Sequence, residues 1–388
     1  MRLLHFVTDE KFIPFAQQVY EEAFPGSNEY RVDADPSRPS RYVTPGPDLV
    51  VKGREYWSGA EVRRDFERFD CVVAHYMTPR FVQAIAQAPS RVMVVWSGWG
   101  ADYYPLLEPI TGPLVLPATA RLARRAMPLR MRAIVALRRR LPRRHTVRSI
   151  ARRLDVVSVN PAEVDMFRRA LPECDAVHHH LPYYSTEATF EPGPAAMNGP
   201  DILLGNSASP ENNHVEALEA LARTDLGTRR VIVPLSYGDA GYADAVTALG
   251  RALLGDRFVA LRSFMSLDEY HDAIGSCGVV LMNHVRQQAV GTISTALYKG
   301  AVVILRRENP VTRFYADMGV QLRADAGASS YDAQLSDIGD AARARNRAIV
   351  GDFWRHERVV RCIRGLAELR GKRAAQRAGG GAERAGVR

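Results

Sequence analysis

The chain has 388 residues, 46% of them apolar and 24% charged, and a net charge of +9. That length favours two domains over a single core, and the composition is that of a soluble globular protein. Four scattered cysteines (Cys71, Cys174, Cys277, Cys362) argue against a disulfide framework or a zinc motif, no apolar run reaches the ~18 residues of a spanning helix, and the opening MRLLHFVTDE lacks a signal-peptide core, so a cytoplasmic protein is expected.

In chain order, Leu3–Val7 reads as a strand and Phe12–Phe24 as a helix, with a possible second strand at Tyr30–Val32. Asp33–Pro47, rich in Pro, Ser and Arg, reads as loop. Helix Ala60–Phe69, strand Cys71–His75, helix Pro79–Gln87 and strand Val92–Trp96 follow, the last running into SGWGADYY. Strand Val156–Val159 leads to Asn160-Pro161-Ala162-Glu163, a capped helix start, and Ala176–Leu181 closes the first domain. His178, His179 and His180 alternate in direction along a strand, so they do not converge on one metal ion. This alternation of strands and helices predicts an α/β domain with a parallel sheet over residues 1–185.

Residues 186–200 are rich in Pro, Gly and Ala and predict a linker. A second α/β domain, 201–335, starts with strand Ile202–Leu204, loop GNSASPENN and helix His214–Ala222. Strand Arg230–Val233 with loop PLSYGDAGY, a helix around Ala243–Leu253, and strand Phe258–Leu261 come next. Ser266 and Glu269 stand in capping-box register before helix Leu267–Ser276. Val279–Met282 is then a buried strand, Asn283–Gln288 a polar elbow, Gly291-Thr292 a helix start, Gly300 its stop, and Ala301–Leu305 another strand. A helical segment, 336–370, is expected to pack back on the first domain, and 371–388 is expected to be a disordered tail.

Between Glu108 and Asp155 there is no acid but thirteen arginines, so the rest of the chain sums to −4. This insert, about 117–153, interleaves Leu, Met, Ile and Val with its arginines, and Pro128 and Pro142 break it into pieces. An anionic bilayer attracts such a segment by ~1 kcal/mol per basic residue. Nucleic acid is not expected, because Arg121–Arg153 holds no aromatic side chain for stacking. A solvated pair of charged helices is the plain alternative.

Two such domains suggest the GT-B arrangement: two Rossmann-like halves facing a cleft, with the C-terminal helix crossing back. The fold alone does not fix a reaction. In order along the chain stand His75 with Pro79, Trp99-Gly100-Ala101-Asp102, Gly205-Asn206-Ser207 with Asn212 and His214, and Val233-Pro234 with Tyr237. Asp268 and Tyr270 with Cys277, Arg286-Gln287-Gln288 with Gly291-Thr292, and Arg307-Glu308-Asn309-Pro310 follow. Together, over roughly residues 70–318, these segments resemble the TDP-N-acetylfucosamine:lipid II N-acetylfucosaminyltransferases, glycosyltransferase family 56. The resemblance implies metal-independent transfer of an amino-deoxy sugar from a TDP-sugar to a lipid-diphosphate-linked saccharide, with no cofactor. It also implies an enzyme peripheral on the cytoplasmic face of the membrane, and the basic segment 121–153 is the part of this chain expected to bind there. A UDP- or GDP-sugar transferase, and a non-enzymatic basic membrane or nucleic-acid module, are the alternatives. The arginine insert is longer than in the family.

Arg286 leads the donor residues, since a guanidinium forks onto two phosphate oxygens; pairing with a nearby acid is the plain alternative. Gln287, Gln288, Gly291 and Thr292 flank it at a helix start, where free N–H groups attract phosphate. Glu308 and Asn309 end the next strand, and Asn206 and Ser207 form the first loop of that domain. Pro234, Ser236, Tyr237 and Gly238 form the second loop, and Phe264 and Met265 the third. On the acceptor side stand Trp99, Gly100 and Tyr103, with Asp102 and His75 as candidate bases for the acceptor hydroxyl. Capping is the plain reading for Asp102, and core burial for His75.

Overall fold

The structure, a computed structural model, describes residues 1–132, 146–263 and 265–385. The chain divides into two compact units. Unit 1 comprises Met1–Leu107, His145–Ser185 and Trp354–Arg388; unit 2 comprises Glu108–Arg144 and Thr186–Phe353. Phe264 and residues 133–145, the middle of the arginine segment, lie outside the described residues.

Unit 1 is built on β1 (Leu3–Thr8), β2 (Asn28–Asp33), β3 (Leu49–Lys52), β4 (Cys71–His75), β5 (Met93–Ser97), β6 (Val156–Ser158) and β7 (Val177–His178). They form one parallel sheet in the order β3-β2-β1-β4-β5-β6-β7. β4 and β5 are buried along their whole length, which explains their unbroken apolar sequences. β3 follows the proline-rich loop and is not among the expected strands, although Leu49-Val50-Val51 is a short run of strand-favouring residues. The chain winds outward from β1 and then resumes at β4 on β1's other side, so the topological switch point lies between β1 and β4.

Helix Ile13–Ala23 and the last helix, His356–Ala385, share one core with this sheet. Val359, Val360, Ile363 and Leu366 recur at helical spacing and are buried with Ala16, Val19 and Tyr20 over Leu3, Val73 and Val95. Arg370 pairs with Asp70 at 2.8 Å, and Arg373 with Asp155 at 2.6 Å. The stretch from Gly371, expected as a disordered tail, therefore continues the helix through Ala385, anchored by Arg373.

Unit 2 is built on β8 (Asp201–Leu204), β9 (Val231–Pro234), β10 (Phe258–Leu261), β11 (Cys277–Met282), β12 (Val302–Arg306) and β13 (Arg323–Asp325). Their order is β10-β9-β8-β11-β12-β13, all parallel, which puts the switch point between β8 and β11. Two expected boundaries differ here. Residues 186–200 are not a free linker: Phe190 and Met197 are fully buried, and the Met197 N–H bonds the Lys299 carbonyl at 2.9 Å. The C-terminal helical segment splits, with Asp340–Phe353 staying in unit 2 and only the helix from His356 joining unit 1.

The arginine segment, expected in the first domain, opens as part of unit 2. Helix Pro117–Ala126 has no side-chain cap of its own. Instead the Glu216 carboxylate accepts from the Ala118 and Thr119 N–H groups at 2.8 and 3.0 Å, and from the Thr119 hydroxyl at 2.5 Å. A carboxylate there meets the positive end of the helix dipole. Leu122 and Ala123 pack on the core of unit 2 below.

Candidate functional site

At the switch point of unit 2, the loop after β8 meets the loop after β11 around one buried side chain, Asn212. Its Oδ1 accepts from the Asn206 N–H at 2.9 Å and lies 2.8 Å from His284 Nε2. Its Nδ2 donates to Ser207 Oγ at 3.2 Å and to the Ser209 carbonyl at 3.1 Å. A backbone N–H requires the oxygen of the amide, so His284 donates through Nε2 and its Nδ1 carries no proton. Burial, with Arg286 and His214 nearby, holds the His284 ring well below its ordinary range, so it is neutral. Asn213 adopts the left-handed conformation (φ 52°) and exchanges bonds with Asn283, donating to its carbonyl at 3.1 Å and accepting from its Nδ2 at 2.8 Å. The two loops are thereby locked together from below.

Gly205 begins the first loop at φ +69°, and a Cβ there would lie 2.7 Å from Asn212 Oδ1 and 2.9 Å from His214 Nε2. Glycine is required on both counts. Above this floor Gln288 donates to Asn206 Oδ1 at 3.0 Å. Arg286 is almost buried and pairs through Nε with Glu211 at 2.6 Å, while Nη1 bonds the Gln287 carbonyl at 2.7 Å. The loop after β9 joins the group by a short parallel bridge: the Ala208 N–H bonds the Tyr237 carbonyl at 2.6 Å. Gly238 (φ +122°) makes this approach possible, since a Cβ would meet Ala208 at 2.7 Å. Pro234 is buried at the end of β9, whereas Ser236 is exposed and Tyr237 is 65% exposed.

The structure thus gathers Asn206, Ser207, Tyr237, Gly238, Arg286, Gln287 and Gln288 at one sheet end. Asn309 joins from beneath: it caps helix Pro310–Asp317 and donates to the His284 carbonyl at 3.1 Å. Glu308 projects from the same turn and pairs with Arg306 at 3.1 Å. Helix Val290–Lys299 starts on Ala289, a left-handed alanine (φ 56°), with no side-chain cap; Gly291 and Thr292 lie in its first turn. Met265 is half-buried just before Ser266, the cap of helix Leu267–Gly275, and Phe264 lies outside the described residues. Sequence reasoning missed Glu211 and His284, and it named Asn212 only within a family-like segment, without a role; consecutive Asn212-Asn213 before a helix is the local signal for that floor.

In unit 1 the corresponding end is braced differently. His75 is fully buried: its Nε2 lies 3.0 Å from His5 Nδ1, and burial lowers its pKa to about 3. An imidazole sealed in this way does not reach a substrate, which corrects its candidacy as base. Asp102 accepts from the Met77 and Trp99 N–H groups, each at 2.9 Å, and from Trp96 Nε1 at 2.8 Å. Burial raises its pKa, and these donors oppose the shift. Asp102 therefore ties the ends of β4 and β5 together. Tyr103, expected on the acceptor side, is buried and gives its hydroxyl to Glu163, as does Tyr104. Gly100 takes φ +99° in the turn, and Trp99 stands over it with Phe12, Tyr76 and Tyr183, ring centroids 5.6–5.9 Å from its own. His178 and His179 bond backbone carbonyls at 2.9 and 2.7 Å. Among the described residues no group of three His, Cys, Asp or Glu side chains is placed to hold a metal ion.

Comparison with solved structures supports this architecture over nearly the whole chain. The Anabaena protein HepE in complex with UDP-glucose superposes with a TM-score of 0.61 at 12% identity, covering 95% of this chain and 100% of that one. Sucrose-phosphate synthase from Thermosynechococcus elongatus gives 0.62 at 11% identity, covering 97% and 100%. An E. coli trehalose-6-phosphate protein bound with UDP-2-fluoro glucose gives 0.60 at 9%, covering 95% and 99%. At such identities these likenesses define the fold: two parallel-sheet α/β domains of the GT-B type. The sequence itself matches a glycosyltransferase family over residues 119–325, so the protein is a GT-B glycosyltransferase. It belongs to the family described as 4-alpha-L-fucosyltransferase, glycosyl transferase group 56.

Proposed function

We propose that this enzyme moves an amino-deoxy sugar of the N-acetylfucosamine kind from a TDP-sugar to a saccharide carried on a lipid diphosphate, in bacterial surface polysaccharide synthesis. The observation that carries the donor half is the gathering of Arg286, Gln288 and Asn206 at the switch point of unit 2. In this reading Arg286 meets the diphosphate and the first turn of helix Val290–Lys299 adds N–H groups to it. Gln287, Gln288, Asn206 and Ser207 take sugar and phosphate oxygens, Glu308 holds a ribose or sugar hydroxyl, and Tyr237 lies at the rim. Neither a metal nor another cofactor takes part.

Titration with TDP, UDP and GDP, with and without EDTA, tests this reading. TDP is expected to bind most tightly, unaffected by EDTA. The Arg286→Ala variant is expected to lose about tenfold or more, because a hydrogen bond to a charged group contributes about 1.5–3 kcal/mol. Absence of nucleotide binding would remove the donor site. Preference for UDP would favour the second reading, a UDP-sugar transferase, which the UDP ligands of the solved relatives support.

Membrane association is part of the proposal. No helix among the described residues is long and apolar enough to cross a membrane. The described part of the arginine segment exposes Leu129 (77%) and Met131 (43%) beside Arg130 and Arg132, a pairing of apolar and basic groups suited to an anionic bilayer surface on the cytoplasmic side. Sedimentation with phosphatidylglycerol-rich liposomes at low salt is expected to carry the protein down, and failure to sediment would remove this part of the reading.

A further inference from the structure

We propose that Glu10 is the base that takes the proton from the acceptor hydroxyl. The inference rests on the transferase reading above, and it follows from where the acids of unit 1 are spent. The loop after β1 carries Asp9, Glu10 and Lys11, and it stands at the switch point between β1 and β4, where an open parallel sheet receives its ligands. Around this end, His75 is sealed against His5, and Asp102 is held by three donors. Glu163 is held by the Tyr103 and Tyr104 hydroxyls, and Asp33 is paired with Arg80. Asp9 caps the 41–43 turn, accepting from three successive N–H groups at 2.6–3.1 Å. Among the described residues Glu10 has no such employment: what acts on it is burial, then the neighbouring Lys11 ammonium and N–H and the like charge of Asp9.

Two further features suit Glu10 to the role. Partial burial raises its carboxyl above the ordinary range; Lys11 opposes this and Asp9 adds to it, so the group is a stronger base than a solvated glutamate. It also acts electrostatically on Tyr183, whose ring stands with Phe12 and Trp99 in the aromatic group at this sheet end. The Trp99 indole N–H is buried and has no hydrogen-bond partner among the described residues. In the step itself, the acceptor oxygen bonds to the anomeric carbon. The bond from that carbon to the diphosphate oxygen breaks, its electron pair leaves with the nucleotide diphosphate, and the hydroxyl proton ends on the Glu10 carboxylate.

The test uses TDP-N-acetylfucosamine and a synthetic prenyl-diphosphate saccharide. Glu10→Gln is expected to lower kcat by about 10²–10⁴-fold, the usual worth of a positioned base, with TDP affinity and melting temperature unchanged, and Glu10→Asp to recover part of the rate. Turnover by the wild type with an equal kcat in Glu10→Gln would overturn the proposal. Absence of wild-type turnover would instead count against the substrate assignment. A second measurement is independent of substrate: carbon-detected NMR titration is expected to place the Glu10 carboxyl above its ordinary value, and a carboxyl at or below that value would overturn the proposal.

Discussion

Removing the Asn212 side chain should loosen the floor of the unit 2 switch point and cost measurable stability. Asn212→Ala deletes four hydrogen bonds at once. Its most expensive consequence is at His284, which is fully buried, so its Nε2–H would be left without an acceptor or water. An orphaned buried donor costs about 1–3 kcal/mol, and the partly buried Asn206 N–H adds to this, so a total of about 3 kcal/mol is expected. For a unit of about 200 residues each kcal/mol moves Tm by about 2–4 °C, giving a fall of about 6–12 °C. Differential scanning calorimetry reads the shift, and TDP titration should show weaker binding because Asn206 and Ser207 lose their brace. A double variant, Asn212→Ala with His284→Leu, should lose less than the sum of the two single changes, because the orphaned donor is gone. A melting temperature for Asn212→Ala within about 2 °C of wild type would refute the view of Asn212 as a hub.

Gly205→Ala should cost about 1–3 kcal/mol in thermal unfolding, since the Cβ falls 2.7 Å from Asn212 Oδ1 at a positive φ; an unchanged Tm would show that the loop relaxes freely. Stability should fall with acid in a window set by buried histidines. His75, His180 and His214 titrate near 3 in the folded protein against about 6.5 when unfolded, so their contribution is complete above pH 6.5 and is lost as pH falls toward 3. Each adds a slope of up to about 1.4 kcal/mol per pH unit in that window, and a Tm that stays flat between pH 6.5 and 5 would contradict it. Glu211→Gln keeps a hydrogen-bond acceptor for Arg286 while removing a negative charge beside the proposed diphosphate site, so TDP should bind about 3–10-fold more tightly; weaker binding would mean that Glu211 chiefly orients Arg286.

The elements that positioned this site were largely readable from local pattern. Val279–Met282 and Ala301–Leu305 are apolar runs bounded by polar elbows, and they became β11 and β12. Ser266 and Glu269 form the reciprocal capping box their spacing predicted. What escaped reading depends on contacts between distant residues. Nothing near Thr119 announces Glu216, almost a hundred residues away, so the sequence gives no sign that helix Pro117–Ala126, which opens the arginine segment, packs in unit 2. Pro- and Gly-rich composition suggested a linker at 186–200, but Phe190 and Met197 have a core to enter. Arg286 drew attention as a lone cation, and the acid that occupies it comes from a loop 75 residues earlier.

The limits of the family match bear on how the two units divide the work. The match begins inside helix Pro117–Ala126 and ends on β13, so it contains the whole sheet of unit 2 and both loops of its switch point. Residues 1–107, with Glu10, His75 and the Trp99–Asp102 turn, lie outside it. The network at the switch point of unit 2 therefore lies within the residues matched by the family, whereas the corresponding sheet end of unit 1 lies outside them. That packing is more confining than the sequence implied. Asp102 and His75, the two groups whose residue types promised catalysis, serve as braces at the ends of β4 and β5. Bracing of this kind fixes the aromatic group around Trp99 and leaves the loop after β1 as the place from which a titratable side chain can act.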